Sequence, residues 1–230
     1  MNFNGLEILF EDEDYLAVHK PAGLLTHPSA FSGKETDHVM TRLASSYSQV
    51  TPVHRLDRAT SGVLLLAKNL EARKQAALLF QDRKIKKKYV ALTRGWIPKS
   101  GVIEASVKSS SGKKKEALTR FERKGRIELP FSSGKYPCSW FSWVEVFPET
   151  GKYHQIRQHF RHLRHPLIGD RKWGDGKVNL AFRTAFGFGN LFLFAQQLSF
   201  THPQTQEEIE IKSNLPSYFL EIRDLPWNWD

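Results

Sequence analysis

Apolar and polar positions alternate from Leu6 to Phe10 and resume in extended fashion from Tyr15 to Val18, with an acidic turn between them and Lys20-Pro21-Ala22-Gly23 after them. A period of two belongs to a strand, so the chain is predicted to open as strand, turn, strand. Val39 and Leu43 at helical spacing predict a helix over 36–46. A strand follows over 62–68, then a helix from residue 70 to about residue 84, with Ala76, Leu79 and Phe80 on its buried face. Further strands are predicted over 89–93 and 102–107, and residues 109–115 read as a polar, basic loop. Residues 121–133 carry no clear period, whereas 138–147 alternate as a twisted strand would. A helix is expected to start near Lys152 and end by Leu163, strands over 191–200 and 209–211 close the sheet, and Pro226-Trp227-Asn228-Trp229 reads as an irregular tail.

Helices and strands intermix without strict alternation. That order predicts an α+β fold with a mixed, mostly antiparallel central sheet flanked by helices and loops. With no internal repeat and no linker rich in Gly, Pro or Ser, residues 1–230 are expected to form a single domain.

Composition narrows the partners. The 230 residues are 40% hydrophobic and 12% aromatic, enough to bury a sizeable core. Lys and Arg number 34 against 24 Asp and Glu, a net charge of +10, and a folded basic protein of this size most often meets polyanions, nucleic acid first. The basic residues are dispersed, no apolar run is longer than that from Val63 to Ala67, and the N-terminus lacks a basic n-region. No membrane partner and no signal peptide are therefore expected, and a cytoplasmic location is. Cys138 is the single cysteine, which rules out an intramolecular disulfide and a structural zinc site built on cysteines. His154 with His159 or His162 lacks a clean i, i+4 pairing with a carboxylate on the same face, so no metal is expected.

Two stretches could carry chemistry. His54-Arg55-Leu56-Asp57-Arg58-Ala59-Thr60-Ser61-Gly62 sets one carboxylate between two arginines just before the most apolar strand, where a loop is a natural place for a catalytic side chain. A surface loop with a turn-capping Asp and solvated arginines would read the same way. In the second stretch, Tyr153, Ile156, Phe160 and Leu163 lie at spacings of three, four and three, and His154, Arg157, Arg161 and Arg164 form a parallel stripe. Such a stripe is either a solvated charged face or a surface turned toward an anion.

Together these residues resemble the RluA-type pseudouridine synthases, whose catalytic loop reads His-Arg-Leu-Asp, two variable residues, then Thr-Ser-Gly. In the same order come Lys20-Pro21-Ala22-Gly23, Tyr89 after a lysine run, Thr150-Gly151-Lys152-Tyr153-His154-Gln155-Ile156-Arg157, His165-Pro166-Leu167-Ile168-Gly169-Asp170, and the late Ala195, Leu198, Phe200, His202 and Pro203. The resemblance runs from about Leu6 to Ile211. It departs at Leu193-Phe194-Ala195, where many relatives carry Leu-His-Ala, a position to which no catalytic role is attached.

The resemblance implies the family's catalytic fold with an active-site cleft across the sheet, no separate S4-type RNA-binding domain, and isomerisation of uridine to pseudouridine without a cofactor. Asp57 would be the catalytic carboxylate, attacking C1′ or removing the 2′ hydrogen. Arg157 would hold it ionised, and Tyr89 would stack on the uracil and help remove the C5 proton. Ile156 would pack against the base or the Asp57 loop, Arg55 would occupy the space that the flipped base vacates, and His54 and Arg58 would join them in binding substrate. RNA is the implied partner, bound by a monomer with no obligatory protein partner, and the chain is most similar to the branch acting on transfer RNA near the acceptor and T-stem junction, at uridine 65. Ribosomal RNA and a catalytically silent RNA-binding protein are the alternatives, and a hydrolase releasing uracil would need a second carboxylate.

Overall fold

The computed structural model describes residues 2–27, 37–47 and 49–230. They fall into two compact units, one of residues 1–87 and 195–214 and one of 88–194 and 215–230.

In the first unit, β1 (Asn2–Phe3), β2 (Leu6–Glu11) and β3 (Tyr15–Lys20) form an antiparallel meander. Helix α1 (Val39–Leu43) follows; it spans five residues, shorter than expected, because His38 caps its start and the chain turns after Leu43. The beginning of the predicted helix, at Thr36, lies outside the described residues. β4 (Thr51–Pro52) and β5 (Ser61–Ala67) come next, and all seven residues of β5 are buried, as its continuous apolar run requires. Asn69 then caps α2 (Leu70–Gln81), accepting a hydrogen bond from the Ala72 N–H at 2.8 Å.

The second unit begins with β6 (Lys86–Arg94), whose first two residues still belong to the first. The expected strand over 102–107 is split into β7 (Ser100–Glu104) and β8 (Val107–Lys108), and β8 pairs in a small hairpin with β9 (Lys114–Lys115). The stretch without clear periodicity is the twelve-residue β10 (Leu118–Leu129), paired antiparallel with β11 (Ser139–Pro148). Its alternation was masked by Glu122-Arg123-Lys124-Gly125-Arg126, where a bulge interrupts the register between Arg123 and Gly125. Two helices follow, α3 (Gln155–His162) and α4 (Gly176–Phe186), the latter capped by the Asp175 carboxylate and ended at Gly187 in the left-handed region.

Strand β12 (Leu193–Thr201) runs from the second unit into the first, where it neighbours β5 and pairs with β13 (Glu208–Lys212). The chain then returns to the second unit for α5 (Ser217–Arg223) and β14 (Asn228–Trp229). The tail is thus ordered rather than irregular. β14 pairs with Gly125 and Arg126, Trp229 lies over Gly125, and Asp230 binds Arg123 through both oxygens at 2.7 and 2.9 Å.

Each unit has its own core. The first packs Tyr15, Val63, Leu65, Ala76, Leu198, Phe200 and Ile211 together. The second is aromatic, with Phe141, Phe182, Phe192, Phe194 and Phe219 at most 1% exposed. At about 1.5–3 kcal/mol per buried side chain, these five anchor α4 and α5 to their strands. The named strand pairings within both units are antiparallel, as an α+β chain requires.

Candidate active site

In the first unit the loop between β4 and β5 is pinned on both sides of Asp57. Before it, the His54 ring accepts the Leu65 N–H at Nε2, 3.0 Å away, and Leu56 is buried with its carbonyl accepting from the Thr26 hydroxyl. After it, the Thr60 N–H donates to the Asp57 carbonyl at 3.0 Å and closes a turn. Arg58 exchanges two bonds with Gly23, its carbonyl accepting the Gly23 N–H at 2.8 Å and its Nε donating to the Gly23 carbonyl at 2.9 Å. Asp57 is left half-buried on this scaffold, and Arg55 and Arg58 are exposed beside it.

Beneath the loop lies Lys20, fully buried at the end of β3. Its ammonium donates to the carbonyls of Leu24 at 2.8 Å, Pro21 at 2.9 Å and Arg58 at 3.3 Å. Burial pushes its pKa down to about 7; the Asp57 charge pulls the other way and Arg58 adds to the depression. The Lys-Pro-Ala-Gly turn was the signal for this residue, although the sequence alone attached no role to it. Burial likewise pushes His54 down to about 3, with Lys87 contributing, so the ring is neutral and acts as an acceptor within the loop. His54, expected to bind substrate, is seen here fixing the loop to β5.

In the second unit, Gln155 organises the Thr150–Arg157 segment. Its carbonyl oxygen accepts from the Thr150 hydroxyl and the Lys152 N–H, and its amide nitrogen donates to the Leu118 carbonyl and the Thr119 hydroxyl, all between 2.7 and 3.0 Å. Helix α3 starts at Gln155 rather than near Lys152, because His154 takes a left-handed backbone with φ of 50°. Tyr153 therefore lies outside the helix, where it stacks on His154. Ile156 and Phe160 are buried as their spacing implied.

Arg157 departs from the expected stripe. It is 8% exposed and forms a bidentate pair with Asp170, Nε to Oδ2 at 2.7 Å and Nη2 to Oδ1 at 2.9 Å, whereas Arg161 and Arg164 face solvent. Burial alone would raise the Asp170 pKa; the bonds from Arg157 and from the Trp173 and Lys172 N–H groups hold it below the usual carboxylate range. In the sequence Asp170 closes the His165-Pro166-Leu167-Ile168-Gly169-Asp170 motif of the resemblance, with no role attached to it. Tyr89 is half-buried on β6, opposite Val146. His159 engages the Thr119 hydroxyl at 2.9 Å and the Ala105 carbonyl at 3.0 Å through its two ring nitrogens. Among the described residues, no three His, Cys, Asp or Glu side chains are grouped to hold a metal ion.

The chain is similar to known proteins. A family model described as RNA pseudouridylate synthase matches residues 14–162, the segment holding Asp57, Tyr89 and Arg157. The chain is 41% identical over 222 residues to the tRNA pseudouridine synthase C of Vibrio parahaemolyticus, covering 91% of this chain and 90% of that protein. It is 38% identical over 229 residues to the Vibrio vulnificus protein of the same name, covering 94% of each. Among solved structures, human RNA pseudouridylate synthase domain containing 1 superposes with a TM-score of 0.74 at 26% identity, covering 98% of this chain and 89% of that one. Human RNA pseudouridylate synthase domain containing 4 gives the same TM-score at 23% identity over 96% of this chain and 94% of that one, a likeness of fold.

Proposed function

Because this chain belongs to the RNA pseudouridylate synthase family, whose members isomerise uridine, we propose that it acts on transfer RNA and that its target is uridine 65, near the junction of the acceptor and T stems. The identity to relatives named for transfer RNA, sustained over nine-tenths of both chains, is the observation that carries the substrate.

The reaction breaks the C1′–N1 bond, turns the uracil within the site and joins it again through C5, with the C5 proton passing to solvent and the freed N1 taking up a proton in its place. Atoms and electrons balance without a co-reactant, so no cofactor is called for. Because the leaving base is recaptured, one carboxylate suffices where glycoside hydrolysis uses two. We assign that carboxylate to Asp57, acting at C1′ or on the 2′ hydrogen. The pinned loop supports this assignment: bonds on either side of Asp57 fix its backbone, which is what a group that must meet one sugar carbon needs.

Arg157 then serves as the cationic partner of that carboxylate when RNA excludes water. Tyr89 stacks on the uracil and assists at C5, and Ile156 supplies apolar packing. Arg55, exposed next to Asp57, fills the stack that the flipped uridine leaves, which a planar guanidinium does better than an ammonium. Arg58 meets the phosphate backbone from the same loop, and His54 serves binding by holding that loop. Both units make up one catalytic domain, consistent with the family match running through each. The protein acts as a monomer on RNA alone, in the cytoplasm.

The test maps pseudouridine in total RNA from cells lacking the gene, complemented with wild type or with Asp57→Asn. Loss of the mark at position 65 of transfer RNA, restored by wild type alone, is the expected result. Loss at a ribosomal RNA position would overturn the substrate, and restoration by the variant would overturn the role of Asp57.

A further inference from the structure

We propose that Asp170 is a positioning residue for the isomerisation, acting through Arg157; the inference rests on the role assigned above to Arg157.

The pair is closed to solvent, with Asp170 2% exposed and Arg157 8%. Neutralising a buried guanidinium needs only one nearby negative charge. What surrounds this carboxylate does more. Oδ1 accepts the Lys172 and Trp173 N–H groups, each at 2.9 Å, in addition to Nη2 of Arg157, and Oδ2 accepts Nε. Four donors leave the carboxylate a single orientation. Its backbone is equally held, because the Asp170 carbonyl accepts the Asn179 amide and the Gly174 N–H, both at 3.0 Å, while the Asn179 carbonyl oxygen accepts the Gly169 N–H.

This mount is tied to the strand that carries Tyr89. The Ile168 N–H donates to the Leu92 carbonyl on β6, and the Ile168 carbonyl accepts the Phe192 N–H, both at 2.9 Å. Gly169 permits the turn between: its φ is +75°, and a Cβ there would sit 1.7 Å from the Asn190 carbonyl oxygen. Asp170 is therefore set at a fixed distance along the chain from β6, and Arg157 inherits that setting.

A bidentate carboxylate fixes the plane of a guanidinium as well as its place. By taking Nε and one hydrogen of Nη2, Asp170 dictates the direction in which the remaining N–H groups of Arg157 donate. An arginine that must keep a catalytic carboxylate ionised has to present those groups within a fraction of an ångström, and misplacement costs rate more than affinity.

The experiment measures single-turnover tritium release from transfer RNA transcripts carrying [5-³H]uridine, for wild type, Asp57→Asn, Asp170→Asn, Arg157→Met and the Asp170→Asn/Arg157→Met double variant, each checked for thermal unfolding. Asp170→Asn is expected to lower the limiting rate by roughly tenfold to a hundredfold while the RNA concentration giving half that rate moves by less than about twofold. In the Arg157→Met background, Asp170→Asn is expected to change the limiting rate by less than about twofold, since a residue acting only through Arg157 has nothing left to position. A limiting rate near that of wild type, a change confined to RNA affinity, or a full further loss in the Arg157→Met background would overturn the inference. If Asp170→Asn alone does not fold, the double variant, which removes both buried charges together, supplies the comparison with Arg157→Met. A wild-type protein that releases no tritium, or an Asp57→Asn protein as active as wild type, would instead sink the underlying function and the inference with it.

Discussion

The Lys20 ammonium donates to the carbonyl of Arg58, the residue after Asp57, at 3.3 Å, so a fully buried side chain at the end of β3 supports the loop that carries the proposed catalytic carboxylate. Its pKa of about 7 lies well below the ordinary 10.5, so between those values the unfolded chain binds more protons than the folded one, and stability rises with pH. Lys20→Met has no proton to exchange. The stability advantage of wild type over Lys20→Met should therefore grow from pH 7 to pH 10, measured as the difference in denaturant midpoints; a difference independent of pH would show that the ammonium is not destabilised by its burial.

His54 gives a signal of the same sign at acid pH. Its pKa is pushed down to about 3 from an ordinary 6.5, so the stability of its neutral form is present above 6.5 and is lost as pH falls toward 3. His54→Gln keeps an acceptor for the Leu65 N–H but cannot be protonated. Wild type should lose stability more steeply than the variant between pH 6.5 and 4, and parallel curves would contradict the desolvated, neutral ring.

Gly62, the second residue of β5, has φ of +116°, and a Cβ added there would lie 2.1 Å from the Ala195 carbonyl oxygen on β12. Backbone strain and overpacking together should make Gly62→Ala cost at least about 3 kcal/mol in chemical denaturation. An unfolding midpoint within error of wild type would mean that this close approach is not part of the fold.

Arg55 stands exposed next to Asp57, and its proposed work is to hold open a stack that costs a few kcal/mol to break. Arg55→Ala should slow isomerisation strongly on folded transfer RNA and far less on an unstructured oligonucleotide containing the same uridine. Equal losses on the two substrates would reduce Arg55 to a phosphate contact.

Legibility followed from how local each signal was. The apolar run of β5 and the alternation of β2 speak within a few residues, and both are where the pattern places them. The motif around Asp57 was equally plain, because fixed residue types in a short loop are read directly from sequence. β10 was not, since charged residues at its bulge interrupt the alternation, and Arg123 there makes sense only once Asp230, far along the chain, is seen beside it. α4 and α5 were missed, although Asp175 and Gly187 bracket the first as cap and stop; their apolar faces are completed by aromatic partners distant in sequence. The same holds for the site. Arg157 was found as one of a basic stripe, but its burial depends on Asp170, and Lys20 was found in a turn whose function is to reach the Arg58 carbonyl.

Catalysis by Asp57 is tested by incubating purified wild type and Asp57→Asn with a transfer RNA transcript labelled with [5-³H]uridine and counting tritium released to water. One equivalent of tritium per transcript with wild type and none above background with the variant, at unchanged RNA binding, is the expected result. Release by Asp57→Asn at the wild-type rate would remove Asp57 from the chemistry, and none by wild type would show that the protein does not isomerise uridine in transfer RNA.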